Sequence, residues 1–164
     1  MDEKVTRCPI YGLLDNIRSA WNVGAMFRTA DAAGLGGIYL CGMTATPPRP
    51  DLEKTALGAS ATVPWDYWTD TVAAIHNIRR QGIQLVALEL GPHATRHDCF
   101  PYRFPLCFVV GHEVDGVRPD VLAACDATVA IPMHGGKESL NVAVSFGIMA
   151  YAARRSWELG FAGE

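Results

Sequence analysis

Short apolar runs alternate with amphipathic stretches along almost the whole chain. Runs at residues 10–14, 37–41, 83–89, 106–111 and 127–132 predict strands, and residues 61–64 are a further short candidate. Helical spacing fills the gaps. Val23, Met26, Phe27, Ala30 and Ala33 recur on one face of a segment that Asn22 can cap and Gly34 can end. Val72, Ile75 and Ile78 mark a second helix between Asp70 and Gly82. Pro119 opens a short third helix over Val121 and Leu122. Residues 140–157 predict the last, with Arg154 and Arg155 near its negative end. Strands alternating with helices predict an α/β domain with a mostly parallel sheet flanked by helices.

Composition narrows this picture. A chain of 164 residues suits one domain over positions 1–164, burying roughly 70% of its unfolded surface. With 49% hydrophobic and 19% charged residues it is a core-rich globule rather than a disordered chain. No stretch approaches the ~20 apolar residues that span a bilayer. No apolar segment follows Met1-Asp2-Glu3-Lys4, so a cytoplasmic protein without a membrane partner is expected. Cys8, Cys41, Cys99, Cys107 and Cys125 are scattered, with no C-x-x-C pair and no histidine at ligand spacing. Reduced thiols and no metal site are the expectation. The net charge of −3 disfavours indiscriminate polyanion binding but leaves a local basic patch open.

Three segments carry candidate chemistry. The first, residues 16–28, holds Asn22 and Arg28 across a helix start. Asn22 can be a cap and Arg28 a solvated face residue, or both can serve a site. In the second, an apolar strand ends at Gly111, with Glu113 and Gly116 behind it. Ligands of open α/β sheets bind beyond such strand ends, although two glycines in a tight turn give the same spacing. The third runs from Ile131 through a Gly135-Gly136 turn to Ser139-Leu140-Asn141. Ser139 or Asn141 can cap the last helix, and such a helix start also suits a compact anionic ligand. The Gly34-Leu35-Gly36-Gly37 run precedes a strand and is no dinucleotide fingerprint, and no Walker A pattern occurs. Residues 44–51, with three prolines, predict a stiff loop; residues 91–105 form a second long connection of open role.

In this order and at these distances the segments resemble the SpoU/TrmH family of RNA 2′-O-ribose methyltransferases, within the SPOUT superfamily. Asn22-x-Gly24-x-x-x-Arg28, Gly111-x-Glu113-x-x-Gly116, and Ile131-Pro132-Met133 with Ser139-Leu140-Asn141-Val142 are similar to its three motifs. The resemblance spans residues 10–155. It implies a parallel sheet with a C-terminal trefoil knot, a rare exception to unknotted topology. It also implies S-adenosylmethionine as cofactor, a homodimer paired partly through the C-terminal helix, and sites that combine motifs of two subunits.

By position, the resemblance gives Leu88, Gly111, Ile131, Ser139 and Leu140 to the cofactor. Arg28 becomes the catalytic arginine, with Asn22, Glu113, Ser139 and Asn141 organising the site around it. Ala143 departs from the family pattern, where a second serine is common. No appended RNA-binding domain is apparent, so RNA contact falls to the domain itself, and tRNA is favoured over rRNA as substrate. Arg7, Arg18, Arg28, Arg49, Lys54, Arg96, Arg103 and Lys137 are candidate phosphate partners, and Trp65, Tyr67 and Trp68 are candidate stacking platforms or core. The alternatives are an rRNA enzyme of the same chemistry and a catalytically silent RNA-binding protein on this fold.

Overall fold

The computed structural model describes residues 5–161. Among these residues, seven strands form one sheet in the order β3-β2-β1-β6-β4-β7-β5, and each pairing is parallel. They are β1 (Cys8–Asp15), β2 (Leu35–Cys41), β3 (Trp65–Trp68), β4 (Gln84–Leu88), β5 (Thr95–Arg96), β6 (Leu106–Val110) and β7 (Ala127–Ala130). The helices are α1 (Ala20–Ala33), α2 (Pro50–Ala56), α3 (Thr71–Arg80), α4 (Pro119–Ala124) and α5 (Val142–Phe161). The predicted parallel α/β sheet is therefore present, and the apolar runs sit where buried parallel strands require them.

Each sheet face has its own core. Ile10, Leu14 and Phe108 pack with α1 and α5 through Phe27, Phe146 and Met149. Leu13, Cys107 and Val109 face the other way, against Ile75 and Ile78 of α3 and Val121 of α4. The α5 helix lies close on the sheet at Gly12, where a Cβ would stand 2.6 Å from the Phe146 ring. Gly24 is tighter still: a Cβ there would be 2.1 Å from the Leu52 carbonyl oxygen of α2. This glycine is what lets two helix backbones cross at close range. Among the described residues no helix is long and apolar enough to cross a membrane.

Several local expectations need correction. The α1 cap is Ser19, not Asn22: the Ser19 hydroxyl accepts from the Asn22 N–H at 3.3 Å. The last helix begins at Val142, and Asn141 is its cap, accepting from the N–H groups of Ala143 (2.9 Å) and Val144 (3.2 Å). Because that helix continues to Phe161, Arg154 is not at its end; it donates instead to the Ala33 carbonyl at 2.7 Å, neutralising the negative end of α1. Residues 44–51 are not all loop, since Pro50 takes the first turn of α2. The candidate strand at 61–64 is replaced by a 3₁₀ turn at Ala59–Ala61 and by β3 just beyond. That strand is an edge, so Trp65 and Tyr67 are exposed rather than core, while Trp68 packs partly on the second cluster. Within residues 91–105, Thr95 and Arg96 add a minimal edge strand to β7.

Candidate functional site

The chain leaves β1 toward β2 and β3 on one side and toward β6, β4, β7 and β5 on the other. Open parallel sheets bind ligands beyond the carboxyl ends of strands near such a reversal. A cavity of about 320 Å³ lies beyond the carboxyl ends of β4, β6 and β7, on one side of that reversal, at the lower end of the usual range for small-ligand sites. Leu88 closes β4, Gly111 follows β6, Ile131 follows β7, and Ser139 and Leu140 precede α5; all five line this one cavity. They are the residues that the sequence resemblance gives to the cofactor.

The segment from Gly111 to Val117 forms one wall as a tight reversal. His112 and Gly116 pair across it, with the Gly116 N–H donating to the His112 carbonyl at 2.9 Å. Gly116 has φ +69°, a left-handed conformation that glycine takes without penalty. Inside the turn the His112 Nδ1 accepts from the N–H groups of Val114 (3.2 Å) and Asp115 (3.1 Å). Gly111 is pressed against the returning backbone: a Cβ there would lie 2.4 Å from the Gly116 carbonyl carbon and oxygen.

Two carboxylates fix this wall. Glu113 accepts from the Ser19 N–H at 3.0 Å and the Arg18 N–H at 3.2 Å, tying the turn to the start of α1. Partial burial pushes the Glu113 carboxyl up, but the N–H groups of Ser19 and Arg18 and the Asn22 side chain outweigh it and hold it below the ordinary range. The other carboxylate, Glu89, follows β4. It accepts from the Val117 N–H at 2.8 Å and the Leu90 N–H at 3.0 Å, and it lines the cavity. Glu89 was not among the expected site residues. Its signal was a carboxylate directly after an apolar strand, but its partner at Val117 is distant in sequence. Beyond the turn, the buried Asp15 accepts from the Thr71 hydroxyl at 2.6 Å and from Arg118 at 3.2 and 3.3 Å. That network anchors the wall where it enters α4.

Since Ser19 supplies the cap, the Asn22 side chain is available to the site. The Asn141 amide donates to the Asn22 amide oxygen at 3.3 Å. Asn22, Glu113 and Asn141 thus form one polar cluster, with Ser139 in the adjoining cavity wall. Arg28 does not join them. It is exposed two turns farther along α1 and lines a separate shallow recess with Ala25, Thr29, Lys54 and Thr55. Among the described residues it makes no hydrogen bond or ion pair.

The bridge from Glu113 to α1 should depend on pH. A carboxyl held below its unfolded value, near 4.3 for glutamate, contributes stability that is fully present above that value. The contribution fades as pH falls through the lower folded value. Urea midpoints of wild type and Glu113→Gln should differ by a constant amount above about pH 5 and converge in stronger acid. A gap independent of pH would contradict the bridge.

A parallel α/β sheet with a small-ligand cavity at the carboxyl ends of its strands, walled by a glycine turn and a helix start, defines the class of protein. Residues 9–151 match the SpoU rRNA Methylase family, and the chain belongs to that family. It is 35% identical over 149 residues to the 23S rRNA (guanosine-2′-O-)-methyltransferase RlmB of Vibrio parahaemolyticus, covering 90% of this chain and 59% of that one. It is 32% identical over 145 residues to a tRNA (guanosine(18)-2′-O)-methyltransferase of Aquifex aeolicus, covering 88% of this chain and 68% of that one. The AdoMet-bound rRNA methyltransferase of Sinorhizobium meliloti superimposes with a TM-score of 0.85 at 31% identity, covering 94% of this chain and 59% of that one. The chain spans about three fifths of the length of the RlmB proteins it matches.

Proposed function

We propose that this chain transfers a methyl group from S-adenosylmethionine to a ribose 2′-hydroxyl of RNA, with S-adenosylhomocysteine as the leaving group and the hydroxyl proton released to solvent. One observation carries the reading: Leu88, Gly111, Ile131, Ser139 and Leu140, from four separate segments, line one cavity beside the Asn22–Glu113–Asn141 cluster. The fit to the cofactor is physical as well. The Gly111–Gly116 contact leaves no room for a side chain, so the ligand meets backbone there. The half-buried Leu88 and Ile131 supply apolar walls. When bound, S-adenosylmethionine supplies a methyl carbon made electrophilic by its sulfonium.

The chain's own residues then orient and stabilise. Asn22 and Asn141 hold the junction of α1 and α5 in register, and alignment of this kind supplies much of the advantage in an in-line displacement. The Arg28 guanidinium serves as a fixed positive charge for the oxyanion developing at the ribose 2′-oxygen and for the adjacent phosphate. It lies outside its own chain's cavity, which fits a site completed by a second copy. Exposed Val144 and Tyr151 on α5 offer that copy an apolar face. A homodimer, the C-terminal trefoil knot of the family and a cytoplasmic location belong to this proposal. Relatives acting on rRNA and on tRNA have similar identity to this chain, so the RNA class is decided by assay. Incubation with labelled S-adenosylmethionine and separate pools of unmodified tRNA and rRNA should label one pool. Label in neither, with the cofactor bound, points to a missing partner or substrate, whereas a chain that binds no cofactor favours the silent RNA-binding alternative.

Glu89 provides a second test. Glu89→Gln keeps the shape but exchanges one accepting oxygen for an amide donor facing a backbone N–H. Losing one charge-assisted bond should raise the dissociation constant for S-adenosylmethionine about tenfold, read by calorimetry. An unchanged constant would mean that His112 and Glu113 hold the turn without Glu89.

A further inference from the structure

The recess that contains Arg28 holds more than an arginine. Trp21, Ala25, Arg28 and Ala32 follow one another at helical spacing and share one face of α1. Trp21 stands at its amino-terminal end with 51% of its surface exposed, unusual for so large an apolar ring. Lys54, reaching over from α2, places its Nζ 5.6 Å from the centre of the Trp21 ring. Thr55 of the same helix donates to the Trp21 backbone carbonyl at 2.7 Å, so α2 is tied to the start of α1 where the indole is carried. Arg28 and Lys54 line the same recess, over a floor that includes Ala25 and Ala32.

The charge of this face is positive although the chain is acidic overall. Nearby carboxylates are already engaged: Asp31 with Arg7, Asp51 with Arg49, and Glu53 with the Ser60 hydroxyl. Arg28 and Lys54 have no carboxylate partner among the described residues. Two uncompensated cations beside an exposed aromatic ring form the combination that binds single-stranded nucleic acid, with phosphates on the cations and a base on the ring. The expected platform at Trp65, Tyr67 and Trp68 lacks it. There Tyr67 donates to the Gly42 carbonyl, Trp68 donates to Asp66, and the nearest charge is that carboxylate.

We propose that Trp21 and Lys54 form a subsite for an unpaired nucleotide next to the one that is methylated, with its base stacked on the indole and its phosphate between Lys54 and Arg28. Trp21 precedes Arg28 by seven positions, about 10 Å along the helix. This inference rests on the methyltransferase reading given above, which puts the target ribose at Arg28. The subsite selects for an unstacked base rather than for its identity, because every base presents a π face.

The test uses the full chain with two fluorescent probes, a U10 RNA and an abasic ribose-phosphate decamer of equal charge. Trp21→Ala should weaken U10 binding roughly tenfold and leave abasic binding unchanged. Trp21→Phe, which keeps a ring, should recover most of the loss. Lys54→Ala should weaken both probes and reduce the salt slope by about one. Equal weakening of both probes by Trp21→Ala would overturn stacking. Conversion to monomer in sedimentation velocity would assign the ring to a second copy and also overturn it. Unchanged U10 binding by Trp21→Ala, with the wild type active, would sink the subsite alone, whereas a wild type that neither binds nor methylates RNA would sink the underlying reading.

Discussion

Arg28→Ala is expected to lower turnover by roughly 10²–10³-fold while S-adenosylmethionine binds as in the wild type. The argument is geometric. Arg28 is exposed and lines a recess apart from the cavity, so its loss removes no contact from the cofactor walls. Arg28→Lys retains charge but not the planar fork that grips phosphate and oxyanion together, and should recover only part of the rate. Near-normal turnover by Arg28→Lys would end any guanidinium-specific role. The same position tests the two-subunit site. Coexpressing an Arg28→Ala chain with a chain whose cavity is disabled should restore activity in mixed dimers, since one site then has both intact halves. If each site used its own Arg28, mixing would restore nothing.

The second large effect is expected at Gly111. A Cβ there meets backbone atoms of Gly116 at 2.4 Å and the Val117 nitrogen at 2.5 Å, and none of these can rotate away. Gly111→Ala must therefore open the reversal or shift β6. Forced overpacking of this kind costs on the order of 1–3 kcal/mol, and the absence of a flexible neighbour puts this site at the upper end. The cost should appear as a lower urea midpoint with an unchanged m-value. Cofactor binding should be lost at concentrations that saturate the wild type, because the displaced segment is the cavity wall. A variant with wild-type affinity would show that this wall is not part of the ligand site. Gly111→Ala also supplies the disabled cavity for the mixed-dimer experiment.

Particular residues show what could be read in advance. The inner strands were legible because a strand buried on both faces is a nearly continuous apolar run, as in Leu106–Val110. Gly111, Ile131, Ser139 and Leu140 were legible because each stands at a strand end or helix start within a spaced motif, whereas Leu88 came only from its position in the family resemblance. The α2 helix was hidden by its proline-rich approach and by having only Leu52 and Ala56 to bury. Ser19 and Asn22 are both good caps in isolation. What decides between them is the Glu113 carboxylate, nearly a hundred positions away, which takes the Ser19 N–H. Gly24 was recognisable as part of a motif, yet its physical reason lies in the α2 backbone that packs against it. Glu89 and the Asp15–Thr71–Arg118 network were invisible for the same reason, since each is defined by partners that only the fold brings near.

The most direct measurement is the identity of the methylated nucleoside. RNA treated with the purified protein and S-adenosylmethionine carrying a labelled methyl group would be digested to nucleosides and separated by chromatography with mass detection. The label should appear in a 2′-O-methyl nucleoside, with the methyl on the ribose fragment, and should disappear with Arg28→Ala. Label on a base fragment would contradict the account, because it would require a target other than the ribose oxygen assigned to Arg28.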